Sequence, residues 1–361
     1  MEPIVAACPR CKTALRLDTP KIACERCGYT VTRVGGIPLL LPRPDDHVVA
    51  WRRQLGLLDL QSRQTLVEFE ASGLSTSAQD RVRMLGKGVR DQMNEVMALV
   101  GPALGGPLPP DQNTGLPRGI AEHIHFLYRD WGWPAGDDDE NKKATDALAA
   151  TLQLDQPLGK TLVLGAGACR LAYDLHFQFR ASPIVAVDID PFLFVIAEAV
   201  VRGRKVALTE ATVNVQENAH SPRTWDLAAP KGPLDETVFL FLLADGISPP
   251  LPDAAFDTVV TPWFIDQVPP DLPAFLATLR RLLRPGGRWI NQGPLLYPPE
   301  APLARRYPRE ELFDLSARAG LPVRRWSAEV RPHLHSPLYR RGKIEWVLTF
   351  DAVAGETAAA S

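Results

Sequence analysis

From Lys160 onward the chain alternates between short apolar runs and amphipathic stretches. TLVLGAG, IVAVDID and FDTVVTP read as strands buried on both faces, where nearly every position is apolar. CRLAYDLHFQF, FLFVIAEAVVRG and LPAFLATLRRLL carry helical spacing, and strand alternating with helix predicts a doubly wound α/β domain. Upstream, between about residues 48 and 100, Met84, Val89, Met93, Val96 and Met97 recur at helical intervals and predict helices that cover another unit. GPALGGPLPPDQNTGLPRG, residues 101–119, is a loop that either links two helices or moves over a site. IAEHIHFLYRDWGW predicts a helix ending in an aromatic cluster. The acidic run Asp137, Asp138, Asp139 and Glu140 then caps the helix NKKATDALAATLQL. The expected units are residues 1–45, a helical region over 46–145, the α/β domain over 146–355 and a disordered tail over 356–361.

Composition narrows the function classes. With 361 residues, 45% of them hydrophobic and 23% charged, the chain has core enough for two or three units and excludes wholesale disorder. The 40 Lys and Arg against 42 Asp and Glu leave a formal charge of −2, without the basic footprint of a dedicated nucleic-acid binder. No apolar run is long enough for a membrane helix, and no basic segment followed by an apolar stretch opens the chain, so a soluble, cytoplasmic protein is expected. The 34 prolines cluster at 102–117 and 249–308, as loop and boundary markers.

Four of the five cysteines fall in two pairs, Cys8-Pro-Arg-Cys11 and Cys24-Glu-Arg-Cys27. Each pair can sit on a tight turn that points two thiolates at one ion, and two such turns complete a tetrahedral four-cysteine zinc site. The intervening KTALRLDTPKIA reads as a short hairpin, and Gly28 stands where the second knuckle needs an unhindered backbone. Two disulfides or a redox CxxC compete with this reading; the lack of a secretion signal and the doubled spacing favour zinc. A closed site of four thiolates has no open position for substrate, so its zinc would be structural. The stretch CPRCKTAL…ACERCGYTVTRVGGIPLLLP resembles the zinc ribbon of the small activator subunit of tRNA and protein methyltransferases.

Gly165-Ala166-Gly167 ends the first strand of the α/β domain, where a glycine turn lets a ligand approach backbone N–H groups at a helix start. Asp188 ends the second strand, where a carboxylate can accept both hydroxyls of a ribose. Such a turn serves NAD or S-adenosylmethionine equally. The order that follows, FDTVVTPWFID, LPAFLATLRRLL and RPGGRWINQG, resembles the second half of class I methyltransferases and implies S-adenosylmethionine. Four segments in order, FLYRDW, GAGACRLAYDL, WFIDQ…LRPGGRWINQGPLLY and IEWVLTF, resemble the carnosine N-methyltransferase family over roughly residues 120–353.

That resemblance implies a class I (Rossmann-like) sheet in which Arg129 and Arg170 engage the methionine carboxylate and Gly165 and Gly167 form the cofactor turn. Asp188 would hold the ribose and Asp245 the adenine. Asp266 would be the substrate carboxylate: accepting the N–H of a neutral imidazole fixes its tautomer, aims the other nitrogen at the methyl group and stabilises the cation that forms. Asn291 and Tyr297 are further candidates, as are His333, His335, Tyr339 and Arg340. Cys169, inside the cofactor loop, is expected to be a packing residue sensitive to thiol reagents. The family presents a histidine after GPLLY and tyrosines before the late strand, where this chain has Pro298, Lys343 and Ile344. Carnosine is therefore one candidate acceptor beside another small histidine derivative such as a thiohistidine on the way to ovothiol. The competing function is methylation of a protein or RNA presented by the ribbon, where Lys12, Arg16, Lys21, Arg26 and Arg33 are basic. A cofactor-binding scaffold without turnover is the third.

Overall fold

The computed structural model describes residues 5–17, 22–69, 73–112, 114, 120–136, 139–153, 156–212, 215–267, 271–338 and 342–355. Lys21, Asp137, Asp138, Tyr339, Arg340 and the 356–361 tail lie outside them.

β1 (Val5–Ala7) and β2 (Ala14–Arg16) form an antiparallel hairpin around the first cysteine pair. The sequence reading placed this hairpin in the segment between the pairs. The knuckle itself makes the turn: Cys8 donates its N–H to Thr13 O at 2.7 Å, and Lys12, at φ 63°, donates to Cys8 O at 2.9 Å. β3 (Thr32–Val34) and β4 (Ile37–Leu39) follow, joined by Gly35 and Gly36 at φ 58° and 91°, the left-handed pair that a two-residue hairpin demands. These two strands belong to the main sheet, because β4 runs parallel to a strand of the α/β domain at Leu39 and Leu243.

Two long helices come next, α1 (Pro44–Phe69) and α2 (Thr76–Leu104), tied by Arg90 Nη1, which donates to Asp59 Oδ1 at 2.5 Å and Ser62 Oγ at 2.8 Å. α3 (Ile120–Leu127) passes directly into a π-helical turn over Tyr128–Gly132. α4 (Glu140–Leu152) starts at Asp139, whose side chain accepts from Asn141 N and Lys142 N as the sequence pattern predicts.

The α/β domain then runs β5 (Gly159–Leu164), α5 (Arg170–Phe179), β6 (Ala181–Asp188), α6 (Pro191–Val201), an inserted hairpin of β7 (Val206–Glu210) and β8 (Arg223–Leu227), and β9 (Phe239–Leu243). It continues with β10 (Phe256–Pro262), α7 (Leu272–Leu282), β11 (Leu283–Gly293), α8 (Arg309–Arg318), β12 (Val323–His333) and β13 (Lys343–Val353). The nine-stranded sheet has the order β12-β13-β11-β10-β5-β6-β9-β4-β3. Strands β11 through β4 are parallel, and β13 is antiparallel to both neighbours. This is an open, mostly parallel α/β sheet, lengthened at one edge by the N-terminal hairpin.

Apolar cores fill both faces. Val100, Leu148, Tyr173 and Ile196 pack on one. On the other, Leu276, Leu279 and Leu312 share a cluster with Ala6, Leu15 and Tyr29 of the cysteine-bearing segment. That segment is fastened to the sheet by polar bonds as well. Ala7 N donates to Pro250 O at 2.8 Å, and the Tyr29 hydroxyl reaches Leu39 O and Leu41 O at 3.1 and 2.9 Å. Among the described residues no helix is long and apolar enough to cross a membrane.

Candidate active site

The carboxyl ends of parallel strands leave a crevice where the strand order reverses, and here it is a cavity of about 780 Å³. Its volume falls in the range of small-molecule sites. One half is built by β5, β6, β9 and the π-helical turn. Gly165 and Gly167 sit at φ 69° and 54°, and a side chain at Gly165 would come within 2.3 Å of the Phe264 ring. Gly167 donates its N–H to Asp188 Oδ2 at 2.7 Å, and Asp190 N donates to Oδ1 at 2.9 Å. Burial pushes the Asp188 carboxyl up to about 6 against those two donors. Asp245 lines the same wall, its Oδ1 accepting from Ile247 N at 2.9 Å.

Arg129 and Arg170 also line the cavity, and both are already anchored. Arg129 Nε donates to Asp130 Oδ1 at 2.7 Å; Arg170 donates to Asp174 Oδ2 at 2.8 Å and to Asp130 O at 2.6 Å. Asp130, which the sequence reading passed over, is buried between the two arginines. The π-helical turn brings it there. Only its place beside Arg129 could have pointed to it.

The other half is built by the loop after β10, the loop after β11 and the β12–β13 hairpin. Asp266 is 4% exposed; its Oδ2 accepts from Leu296 N at 3.3 Å, and its Oδ1 is buried without a partner. Burial raises its carboxyl to about 6. Trp263, at φ 48°, lies against Gly293, where an added Cβ would approach its Cα to 2.7 Å. The ring of His333 stacks on it at 4.0 Å with 18° between planes. Burial first, then Arg129 and Lys343, push that imidazole down to about 3, so it is neutral at physiological pH.

Seven of the candidates in the α/β domain and before it therefore meet at one cavity: Arg129, Gly165, Gly167, Arg170, Asp188, Asp245 and Asp266. Two face elsewhere. Asn291 is fully buried, accepting from Thr261 Oγ1 at 2.9 Å and donating to Leu348 O at 3.2 Å, while its neighbour Gln292 lines the cavity. Tyr297 donates to Tyr307 O at 3.2 Å, and it is Leu296 that reaches Asp266. Of the C-terminal candidates, His333 lines the cavity, and His335 gives its backbone N–H to Glu140 Oε1 at 2.8 Å. Cys169 is fully buried and its thiol is raised well above the usual range by burial, which favours the packing role over sensitivity to thiol reagents.

Away from the cavity, the sulfurs of Cys8, Cys11, Cys24 and Cys27 lie within 4.8 Å of one another and form no disulfide. Cys8 to Cys27 is 3.6 Å and Cys11 to Cys24 is 3.4 Å, close to the edge of about 3.8 Å that four thiolates make around zinc at about 2.3 Å. Gly28, at φ 71°, has open space where a Cβ would stand.

Residues 229–330 match the family model of carnosine N-methyltransferase. No curated protein matches the chain. Similar solved structures include Burkholderia thailandensis 1,6-didemethyltoxoflavin-N1-methyltransferase with bound 1,6-didemethyltoxoflavin and S-adenosylhomocysteine. It is 18% identical over 61% of this chain and 80% of that one, with a TM-score of 0.36. A chain in the complex between the Haloferax volcanii Trm112 methyltransferase activator and a methyltransferase is 14% identical over 66% of this chain and 98% of its own, at 0.41. An Aquifex aeolicus SAM-dependent methyltransferase is 13% identical over 63% and 92%, at 0.35. At these levels no substrate passes from those proteins to this chain.

Proposed function

We propose that the chain is an S-adenosylmethionine-dependent methyltransferase that acts on an imidazole nitrogen of a small histidine-derived metabolite. The observation that carries the reading is Asp266, a buried carboxylate with one oxygen unpartnered, in the same cavity as the glycine turn and Asp188. When bound, S-adenosylmethionine supplies a methyl group on a sulfonium, which needs an aimed nitrogen lone pair and no metal. Asp188 would take the ribose hydroxyls, Asp245 the adenine, and Arg129 with Arg170 the methionine carboxylate. Asp130 and Asp174 hold those two guanidinium groups in place.

Asp266 accepts the N–H of the imidazole, fixes the tautomer that turns the other nitrogen toward the sulfonium, and offsets the positive charge that grows on the ring. The Trp263–His333 stack, its imidazole neutral, gives a flat ring an aromatic neighbour. A small acceptor is favoured by enclosure, since Asp266 and His333 are 4% and 7% exposed. Cys8, Cys11, Cys24 and Cys27 would hold a structural zinc that keeps the 1–45 segment folded against the sheet.

The test is methyl transfer from labelled S-adenosylmethionine to histidine, 5-thiohistidine, carnosine, a histidine-containing peptide and bulk RNA, read by product mass. One small imidazole compound is expected to carry the label. Labelling of the peptide or RNA alone overturns the reading and moves the ribbon to the centre of recognition.

A further inference from the structure

Where β12 and β13 leave the sheet body, their residues alternate between two environments. Val330, Ile344 and Trp346 are exposed at 53, 74 and 67%, whereas Arg331, His333, Lys343, Glu345 and Val347 line the cavity, with Pro332 touching its rim between Arg331 and His333. A period of two is what a hairpin with one face on a pocket produces. In register, Arg331 stands opposite Glu345 and His333 opposite Lys343. Residues directly opposite share a face at about 5 Å between Cβ atoms, so Arg331 and Glu345 present a cation and an anion side by side.

They do not neutralise each other. Arg331 gives its Nε to Glu329 Oε2 at 3.1 Å, and its Nη2 is buried without a partner on a residue only 8% exposed. A buried guanidinium with an unused donor is an unfavourable state that an incoming acceptor group relieves. Glu140, the acid on the neighbouring helix, has both oxygens taken by Leu334 N and His335 N at 3.1 and 2.8 Å. The wall carries Arg331, held by Glu329 but with one donor open, and Lys343 as cations, and it carries Glu345 beside the backbone-bonded Glu140 as anions.

We propose that this wall binds the α-ammonium and α-carboxylate of a free amino acid, Arg331 taking the carboxylate and Glu345 the ammonium. The two charges of a zwitterion sit on one carbon, which matches a cation and an anion facing each other across one hairpin. A planar guanidinium with an open donor suits a carboxylate, and Lys343 adds to the field. The inference rests on the imidazole reading for what lies at the other end of the acceptor, and narrows it. The acceptor carries an unblocked amino acid end, so an acylated histidine, in which the α-nitrogen has lost its charge, fits this wall poorly.

The experiment measures methyl transfer by the full chain to histidine, 5-thiohistidine, histidinamide and Nα-acetylhistidine, and binding of the same four by calorimetry with S-adenosylhomocysteine present. Arg331→Met, Arg331→Lys and Glu345→Gln are compared with the parent, with S-adenosylhomocysteine affinity as the check on folding. The free acid is expected to have a KM at least about tenfold below its amide, the difference vanishing in Arg331→Met and partly restored in Arg331→Lys. Glu345→Gln is expected to erase the preference over the acetylated compound. Equal KM values for acid, amide and acetyl forms in the parent overturn the proposal. If no imidazole is methylated yet the free acids bind in an Arg331-dependent way, the wall stands and the imidazole reading falls.

Discussion

The two halves of the cavity are built on opposite plans. On the side of the glycine turn the polar groups that line the cavity are held within the protein: Asp188 accepts two backbone N–H groups, Arg129 is held by Asp130, and Arg170 by Asp174, whose other oxygen is buried behind the wall without a hydrogen-bond partner. On the opposite side Asp266 Oδ1, Arg331 Nη2 and His333 Nδ1 are all buried without a hydrogen-bond partner, His333 Nδ1 lying 3.9 Å from Glu140 Oε2. The first half is a finished cradle. The second holds polar groups whose desolvation is not offset until something binds.

The largest test of that contrast removes the Asp266 charge. Asp266→Asn is expected to lower kcat by about 10²–10³, the scale of losing one preorganised electrostatic group at the reacting centre. S-adenosylhomocysteine affinity, set by the other half, should stay within twofold by calorimetry. A variant that loses both together would show that the halves fold as one unit.

Next comes pH. The Asp266 carboxyl sits at about 6, and a free imidazole protonates near 6.5. Both must be deprotonated for transfer, so with S-adenosylmethionine saturating, which keeps the Asp188 carboxyl out of the profile, log kcat/KM for the acceptor should fall with a limiting slope of two on the acid side of about pH 5.5. In Asp266→Asn the slope should be one. A slope of one in the parent would take Asp266 out of the chemistry.

How far these halves were legible follows from how each is encoded. TLVLGAG and IVAVDID carry strand, turn and acid within a few residues, so Gly165, Gly167 and Asp188 could be placed from local pattern. The acceptor wall could not. VRRWSAEVRPH has no apolar face because β12 is the edge of the sheet, and only His333 of its cavity residues stood out. Asn291 misses the cavity lining for a related reason. Along a strand successive side chains point to opposite faces, and one position separates Asn291 from Gln292. The sequence shows that a polar pair ends β11; the register with β13 decides which member meets the ligand. β3 and β4, at three residues each, are too short for any period to show, so their place in the main sheet emerges only from pairing with β9.

A smaller effect concerns stability. Folding raises the Asp266 carboxyl from an ordinary 3.8 to about 6, so the folded state binds a proton that the unfolded state has released. Ionised Asp266 therefore destabilises the ligand-free protein above about pH 6. That cost shrinks as pH falls from about 6 to 4 and is absent below. Asp266→Asn is expected to be about 1–3 kcal/mol more stable than the parent at pH 7.5, and the gain should disappear near pH 4, as read by denaturant titration at both values. A gain that persists at low pH would mean a packing effect and not a charge.

The smallest expected change sharpens the contrast from the cofactor side. Cys169 begins α5 at φ 69°, is fully buried, and has a thiol pushed well above its usual range by burial and then by the Asp188 and Asp130 carboxylates. A thiol that stays protonated and sealed is a poor nucleophile toward maleimide. Native protein treated with maleimide and then digested should show Cys169 unmodified by peptide mass, with methyl transfer unchanged, until denaturant is added. Loss of activity with Cys169 labelled in native buffer would mean that the turn at Gly165 and Gly167 opens by itself. The satisfied hydrogen bonds around Asp188 would then describe one state among several, and the difference between a finished half and an unfinished one would lie in ligand contacts alone.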